Sequence, residues 1–213
     1  MIRVGLALLR KIVKDKYLIL AGDYLHIRGS VLASASGHLE LPATLAELEV
    51  ALTKQAYHKE QLRRKVTEQG YEAVTVDEIH QISKLRAAKT VHALRGVALL
   101  RGDQPSEELF ENIGLMVLYR RELQEFMFSF PRLLWRYLRI KMVSGGVGEP
   151  HSLVQYLFYR SCQQADLRLD LAYLNTVQLM NREIEILQCK LRQALGEDYS
   201  EFEPKLTYAM TMF

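Results

Sequence analysis

Apolar positions recur at intervals of three and four residues along most of this chain, the period of helices with one buried face. Two such stripes lie in the first half and are followed by Gly70 and Gly102, residues that commonly end helices. Thr44 and Thr75 each begin a Thr-x-x-Glu capping box, the pattern of a helix start. The first half therefore predicts two well-bounded helices.

The second half predicts a longer helical array. An apolar pattern over 105–130 ends at Pro131, which we expect to break the helix. A short basic-aromatic helix over 132–143 and a glycine-rich loop follow. From 151 to 195 the pattern predicts one long helix whose apolar seam is interrupted by Asn181 and Gln188, an arrangement typical of a coiled coil or of a buried helix with two polar interruptions.

The region near residues 22–41 has the weakest helical pattern. Tyr24, Ile27 and Val31 favour β-structure, and the turn-forming residues 34–37 follow them. We expect a short hairpin or an irregular segment there. The whole chain is therefore predicted to be all-α, a helical bundle with one long C-terminal helix, divided into an N-terminal helical region (1–103) and a second bundle (104–213).

Composition supports helices and excludes several classes of protein. Only 12 Gly and 5 Pro occur in 213 residues, too few for a turn-rich β-fold. The net charge of +3 is low for a dedicated nucleic-acid binder. Two cysteines form neither a disulfide framework nor a zinc site, and no apolar run is long enough to span a membrane.

No residue pattern indicates catalysis or a metal. The six histidines are scattered, and of two Asp-x-x-His pairs, Asp23 with His26 and Asp77 with His80, the first falls outside the predicted helices. We expect a protein that is not an enzyme and binds no metal or cofactor directly. Lys84 to Arg101 holds five basic residues and no acid, which suits either a solvated face or a phosphate-binding surface.

One short stretch resembles a known family. Leu118-Tyr119-Arg120 begins LYRRELQEFMFSFP, which ends at Phe130-Pro131, and Tyr137, Arg139, Ile140 and Lys141 follow in the next helix. In this order the segments resemble the LYR-motif family of small mitochondrial helical proteins. The first hundred residues have no counterpart in that family.

The resemblance implies a three-helix bundle that binds a mitochondrial acyl carrier protein, whose acylated phosphopantetheine enters the bundle. Side chains implied to line the acyl channel are Met116, Phe126, Met127, Trp135 and Leu138. Side chains implied to contact the acidic carrier are Leu118, Tyr119, Arg120, Arg121, Phe130, Arg132, Arg136, Arg139 and Lys141.

On this interpretation the chain is a non-catalytic subunit of a respiratory-chain or other mitochondrial complex, in the matrix or on the matrix side of the inner membrane, with other subunits as partners. The basic, acid-free start (1–14) suits an import signal, a membrane-surface helix or a core helix. Two alternatives remain: a cytoplasmic scaffold that assembles through the long helix, and a basic nucleic-acid-binding protein, which the low net charge disfavours.

Overall fold

A computed structural model describes residues 24, 27–38, 40–102, 106–144, 150–164 and 168–211. Six α-helices have both ends within these ranges: α1 (Glu40–Gln69), α2 (Val76–Arg101), α3 (Glu107–Ser144), α4 (Leu153–Gln164), α5 (Leu169–Leu195) and α6 (Tyr199–Thr211). Residues 27–35 are also helical. Short 3-10 turns at Tyr71–Ala73 and Gly196–Asp198 join α1 to α2 and α5 to α6. No strand occurs in these ranges, so the all-α prediction is confirmed.

The helices pack around α3. Helix α1 packs on α2, α2 on α3, and the pair α4 and α5 covers the other side of α3. A single cluster of buried side chains extends from Leu62 of α1 to Tyr199 of α6. None of the helices in the described ranges carries an apolar stretch of the length that a bilayer crossing requires.

Side chains cap the starts of two helices, α2 and α3. Thr75 accepts the Glu78 N–H, and the Glu78 carboxylate accepts the Thr75 N–H, which confirms the predicted capping box. The box predicted at Thr44 is wrong, because α1 already begins at Glu40 and the Thr44 hydroxyl donates to the Glu40 carbonyl at 3.0 Å. Ser106 precedes α3 and its hydroxyl accepts the Leu109 N–H.

Residues 27–35 are helical rather than a hairpin, and the turn predicted at 34–37 is reduced to residues 36–37. Tyr24, Ile27 and Val31 are spaced by three and four residues, so the same side chains also fit a helical face. β-Propensity is a weak guide when no second strand is present to pair with.

Pro131 does not end a helix, so the predicted break between 130 and 132 is wrong. Helix α3 runs 38 residues through it. Pro131 lacks the N–H that would bond the Met127 carbonyl. Both residues are exposed, so this carbonyl lies on the side of α3 that faces water. Phe126 and Phe130 before the proline and Tyr137 after it belong to one aromatic cluster. Both halves of α3 therefore pack against the same group of rings.

The predicted long helix over 151–195 is also wrong, because the chain forms two separate helices, α4 and α5, that pack on each other. Phe126 of α3 contacts Phe158 of α4 at 5.6 Å between ring centroids and Tyr173 of α5 at 5.3 Å. One continuous helix cannot bring Phe158 and Tyr173 to the same ring, since they would lie about 22 Å apart along its axis. Cys162 and Cys189 consequently lie on different helices, and both are free thiols.

At Gly114 the backbone of α3 lies close to α2. A Cβ at this position would lie 2.7 Å from Val91 Cγ2 and 3.3 Å from the Ala87 carbonyl oxygen. The carbonyl belongs to a helix backbone and Val91 is β-branched, so neither moves away at low cost. Gly96 on α2 differs, because its nearest neighbour would be Leu41 Cδ2 at 3.5 Å.

We predict that Gly114→Ala lowers the free energy of unfolding by about 1–3 kcal/mol through overpacking. Gly96→Ala is the matched control, and it should raise the free energy of unfolding by about 0.5–1 kcal/mol because alanine favours the helix. Urea denaturation of both variants measures the two values. Equal effects of the same sign would contradict the close approach at Gly114.

Candidate functional site

The second half of α3 exposes an apolar line to solvent. Phe128 is 83% exposed, Trp135 64% and Met142 72%. They are spaced by seven residues, so they lie on one face of the helix over about 21 Å. We name Phe128, Trp135 and Met142 the ridge. Large apolar side chains in such a row are typical of a surface that another molecule covers.

Arginine side chains lie beside the ridge on one flank only. Counted from Trp135 at about 100° per residue, Arg139, Arg132 and Arg136 lie roughly 40–100° to one side. We name these three the arginine row. The other flank holds the apolar Leu138 and Met127 at roughly 60–80°. The ridge therefore has a cationic edge and an apolar edge.

The arginine row has no counter-charge within the described part of the chain. No acidic residue occurs in the sequence between Glu125 and Glu149, and no described carboxylate forms an ion pair with these arginines. Arg136 contacts His151 Nε2 at 3.2 Å. Lys141 lies on a different side of α3 from the arginine row, and its Nζ is 5.9 Å from the centre of the Tyr137 ring. The row thus presents positive charge to solvent.

The side chains implied to line an acyl channel do not face one space. Met116 and Phe126 are 1% and 3% exposed and lie in the core, whereas Met127 and Trp135 lie at the surface and Leu138 packs against the core edge. The apolar pattern of α3 covers both a core face and an exposed face. The sequence pattern alone did not separate these two faces.

The Leu-Tyr-Arg tripeptide is mostly internal, so the expected rim of Tyr119 with Arg120 and Arg121 is not an open surface. Tyr119 is 2% exposed, and its hydroxyl shares a 3.0 Å hydrogen bond with His80 Nδ1. Burial raises the pKa of Tyr119 well above its ordinary value. Leu118 packs against the core, as does Phe130 in the aromatic cluster.

The two arginines next to Tyr119 have partners in the fold. Arg120 donates to Glu203 of α6 at 3.3 Å, and Arg121 donates to Glu125 one turn further along α3 at 3.2 Å. Of the basic residues implied to contact a partner, Arg132, Arg136 and Arg139 are therefore the ones that the structure presents together on an exposed face.

The basic stretch from Lys84 to Arg101 is largely used inside the fold. Lys84 pairs with Glu111 at 2.7 Å, Arg95 pairs with Glu47 at 2.6 Å, and Arg86 pairs with Glu122. These ion pairs connect α2 to its neighbours on both sides. Three of the five cations are thus neutralised by the bundle itself, which removes most of the phosphate-binding surface that the stretch suggested.

Glu122 is a buried carboxylate that the sequence analysis did not identify. It is 4% exposed, pairs with Arg86 and accepts the Val154 N–H in the first turn of α4 at 3.4 Å. It therefore connects α2, α3 and α4. Burial raises the pKa of Glu122 even though Arg86 and the Val154 N–H act in the opposite direction.

Tyr71 and Tyr156 make a second connection between the first helices and α4. Tyr71 donates to the Tyr156 carbonyl at 2.7 Å, and Tyr156 donates to the Val74 carbonyl at 3.3 Å. Arg160 donates to the Tyr156 hydroxyl at 2.9 Å. No group of three or more potential metal ligands occurs among the residues described.

We predict that Arg86→Met lowers the free energy of unfolding by about 3 kcal/mol at neutral pH, because it leaves the Glu122 carboxylate buried without a cation. The double variant Arg86→Met with Glu122→Gln should recover most of that loss. Urea denaturation of the two variants and the wild type gives the coupling. Additive losses would contradict a direct pairing of the two side chains.

The same carboxylate predicts a dependence on pH. Because its pKa is raised in the folded protein, that state binds the proton more tightly, and the contribution of Glu122 to stability decreases as pH rises through the folded pKa. In Arg86→Met this dependence on pH should be stronger. As the pH is lowered from neutral to about 4.3, the ordinary glutamate pKa, the variant should therefore become more stable relative to wild type. Glu122→Gln should abolish this gain.

Comparison with known protein families, with curated protein sequences and with solved structures gives no match to this chain. The resemblance to LYR-motif proteins therefore rests on the residues around Leu118 to Lys141 alone. What the fold adds is an exposed ridge with a one-sided arginine row on the helix that carries those residues.

Proposed function

We propose that this chain is a non-catalytic helical subunit that binds an acidic partner protein through the ridge and the arginine row of α3. The observation that carries the proposal is the asymmetry of this face, which has apolar side chains along its centre and, along one edge, arginines that pair with no described carboxylate. Trp, Met and Arg are the residues enriched in protein interfaces. A partner helix with one acidic edge and one apolar edge matches both parts of the face.

The charge pattern favours an acidic protein over other occupants. A second copy of the chain would bring two arginine rows together, and like charges oppose such a dimer. A helix that lies on an anionic membrane buries its apolar face and presents cations across its polar face to the headgroups. Here one edge is apolar and carries Leu138 and Met127.

The resemblance supplies a candidate for the partner. An acyl carrier protein presents an acidic helix, which fits the arginine row, and it carries an acylated phosphopantetheine. With this partner the chain would belong to a mitochondrial respiratory-chain or other matrix-side complex.

Stacking of bases on Trp135 with phosphates on the arginines would be the equivalent arrangement for single-stranded nucleic acid.

We expect the wild-type chain to bind a mitochondrial acyl carrier protein, and Trp135 to report it. It is the single tryptophan of the chain, so burial on complex formation should shift its emission to shorter wavelength. Arg132→Glu with Arg139→Glu should weaken binding by about 30-fold or more, the effect expected when an interface loses its central cations. Lys54→Glu, a reversal of an exposed charge on α1, is the matched control and should bind normally.

The outcomes separate the partner classes. Unchanged affinity of the arginine variant would refute the proposed face, and unchanged Trp135 emission on binding would place the partner elsewhere. No carrier binding, together with a Trp135 shift on adding single-stranded RNA that disappears steeply with salt, would favour the nucleic-acid alternative. Unfolding of each variant in urea, compared with wild type, shows that any loss of binding is not a loss of fold.

A further inference from the structure

A groove lies between α3 and α5, and α6 contacts two of its lining residues, Arg120 and Gln188. The groove has a volume of about 700 Å³ and runs between Leu123 and Met127 of α3 and Tyr173 and Ile184 of α5. Phe128 of the ridge also lines it, so the groove and the exposed face of α3 are continuous. Asn181 and Gln188, the polar interruptions of the predicted seam, lie on its α5 wall.

One carboxylate of α6 is bonded to both walls of this groove. Glu203 Oε1 accepts from Arg120 of α3 at 3.3 Å and from Gln188 of α5 at 3.2 Å. Arg120 also donates to the Thr207 hydroxyl at 3.3 Å. Arg120 is 19% exposed and Glu203 35%, so the ion pair lies at the edge of the fold, where water can replace it.

Few of the described side chains of α6, those of residues 199–207, are buried. Among residues 199–207, Tyr199 is buried, whereas Phe202 and Leu206 are half-buried, and the others show exposed or half-buried side chains. Pro204 lies inside the helix and removes one backbone N–H donor. By contrast α4, which is 12 residues long, buries seven of them. A helix with little buried apolar surface opens locally at low free energy.

The connector before α6 provides a hinge. The short turn Gly196–Asp198 links it to α5, and Gly196 has φ +55°, a conformation that glycine adopts readily. Rotation at this turn moves α6 without disturbing the aromatic cluster of α3, α4 and α5.

We propose that α6 is a lid, and that a carboxylate of the acidic partner replaces Glu203 on Arg120 and Gln188 when the partner binds. Opening frees two hydrogen-bond donors at the end of the groove, whose apolar walls already continue into the ridge through Met127 and Phe128. The lid competes with the partner for the same donors, so it lowers the affinity of the closed protein. The part of this proposal that concerns the partner rests on the proposed function, whereas the opening of α6 does not.

Hydrogen–deuterium exchange of the full chain tests the lid without any partner. We expect amides of 199–207 to exchange at least about tenfold faster than those of 184–195, because they open locally rather than with the whole fold. Glu203→Gln should accelerate exchange in α6 by about three- to tenfold further, since it removes a charge-assisted bond. Glu201→Gln is the matched control, because Glu201 is exposed and bonds Lys205 on its own helix.

Equal protection of α6 and α5, or equal effects of the two glutamine variants, would overturn the lid. Acyl carrier protein at saturating concentration then tests the exchange of carboxylates. The lid predicts faster exchange in α6 when the carrier binds. It also predicts that Glu203→Gln binds the carrier about three- to tenfold more tightly than wild type, because weakening the closed contact favours the competing partner. Binding with unchanged or greater protection of α6 refutes the competition, whereas absence of binding refutes the proposed partner and leaves the partner-free result on α6 to stand.

Discussion

Continuity of α3 through Pro131 depends on aromatic burial on both sides of the proline. A proline inside a helix removes one backbone hydrogen bond and costs about 3 kcal/mol. Phe126 and Phe130 on one side and Tyr137 on the other pack against Phe158 of α4, and each buried aromatic ring contributes an amount of the same order. The helix remains whole because ending it at the proline would separate these rings. Helices α2, α4, α5 and α6 contact it directly, and α1 packs on α2.

That continuity also creates the exposed face. Helix α3 is 38 residues long, and one side of its second half packs on α4 while the opposite side meets solvent. The proline lies on the solvent side, where its missing donor leaves no buried carbonyl unpaired. The ridge and the arginine row occupy this same side, so the feature that resembles a helix end in the sequence lies within the surface proposed for binding.

Charges in the bundle fall into two groups with different consequences. The cations of α2 face carboxylates of α1 and α3, and Arg86 with Glu122 fixes the start of α4 through the Val154 N–H. The arginine row has no such partner in the described part of the chain, and Arg120 is shared between the fold and the end of the groove. Basic residues that look alike in sequence therefore have three different roles. Some form ion pairs between helices, Arg120 contacts α6 at the edge of the fold, and the arginine row lies on an exposed surface.

The sequence by itself determined the helical class, because spacing by three and four residues and scarce glycine and proline act locally. It also located the capping box at Thr75, whose two hydrogen bonds lie within one turn. It misplaced the helix ends at Pro131 and near residue 165, since whether a helix continues depends on what its two halves are packed against. It could not separate buried Tyr119 from exposed Trp135, or Arg86, which pairs with Glu122, from Arg132, which pairs with no described carboxylate, because these distinctions depend on contacts between residues far apart in the chain. Tertiary packing decided these, by bringing α2, α4 and α6 against different parts of α3.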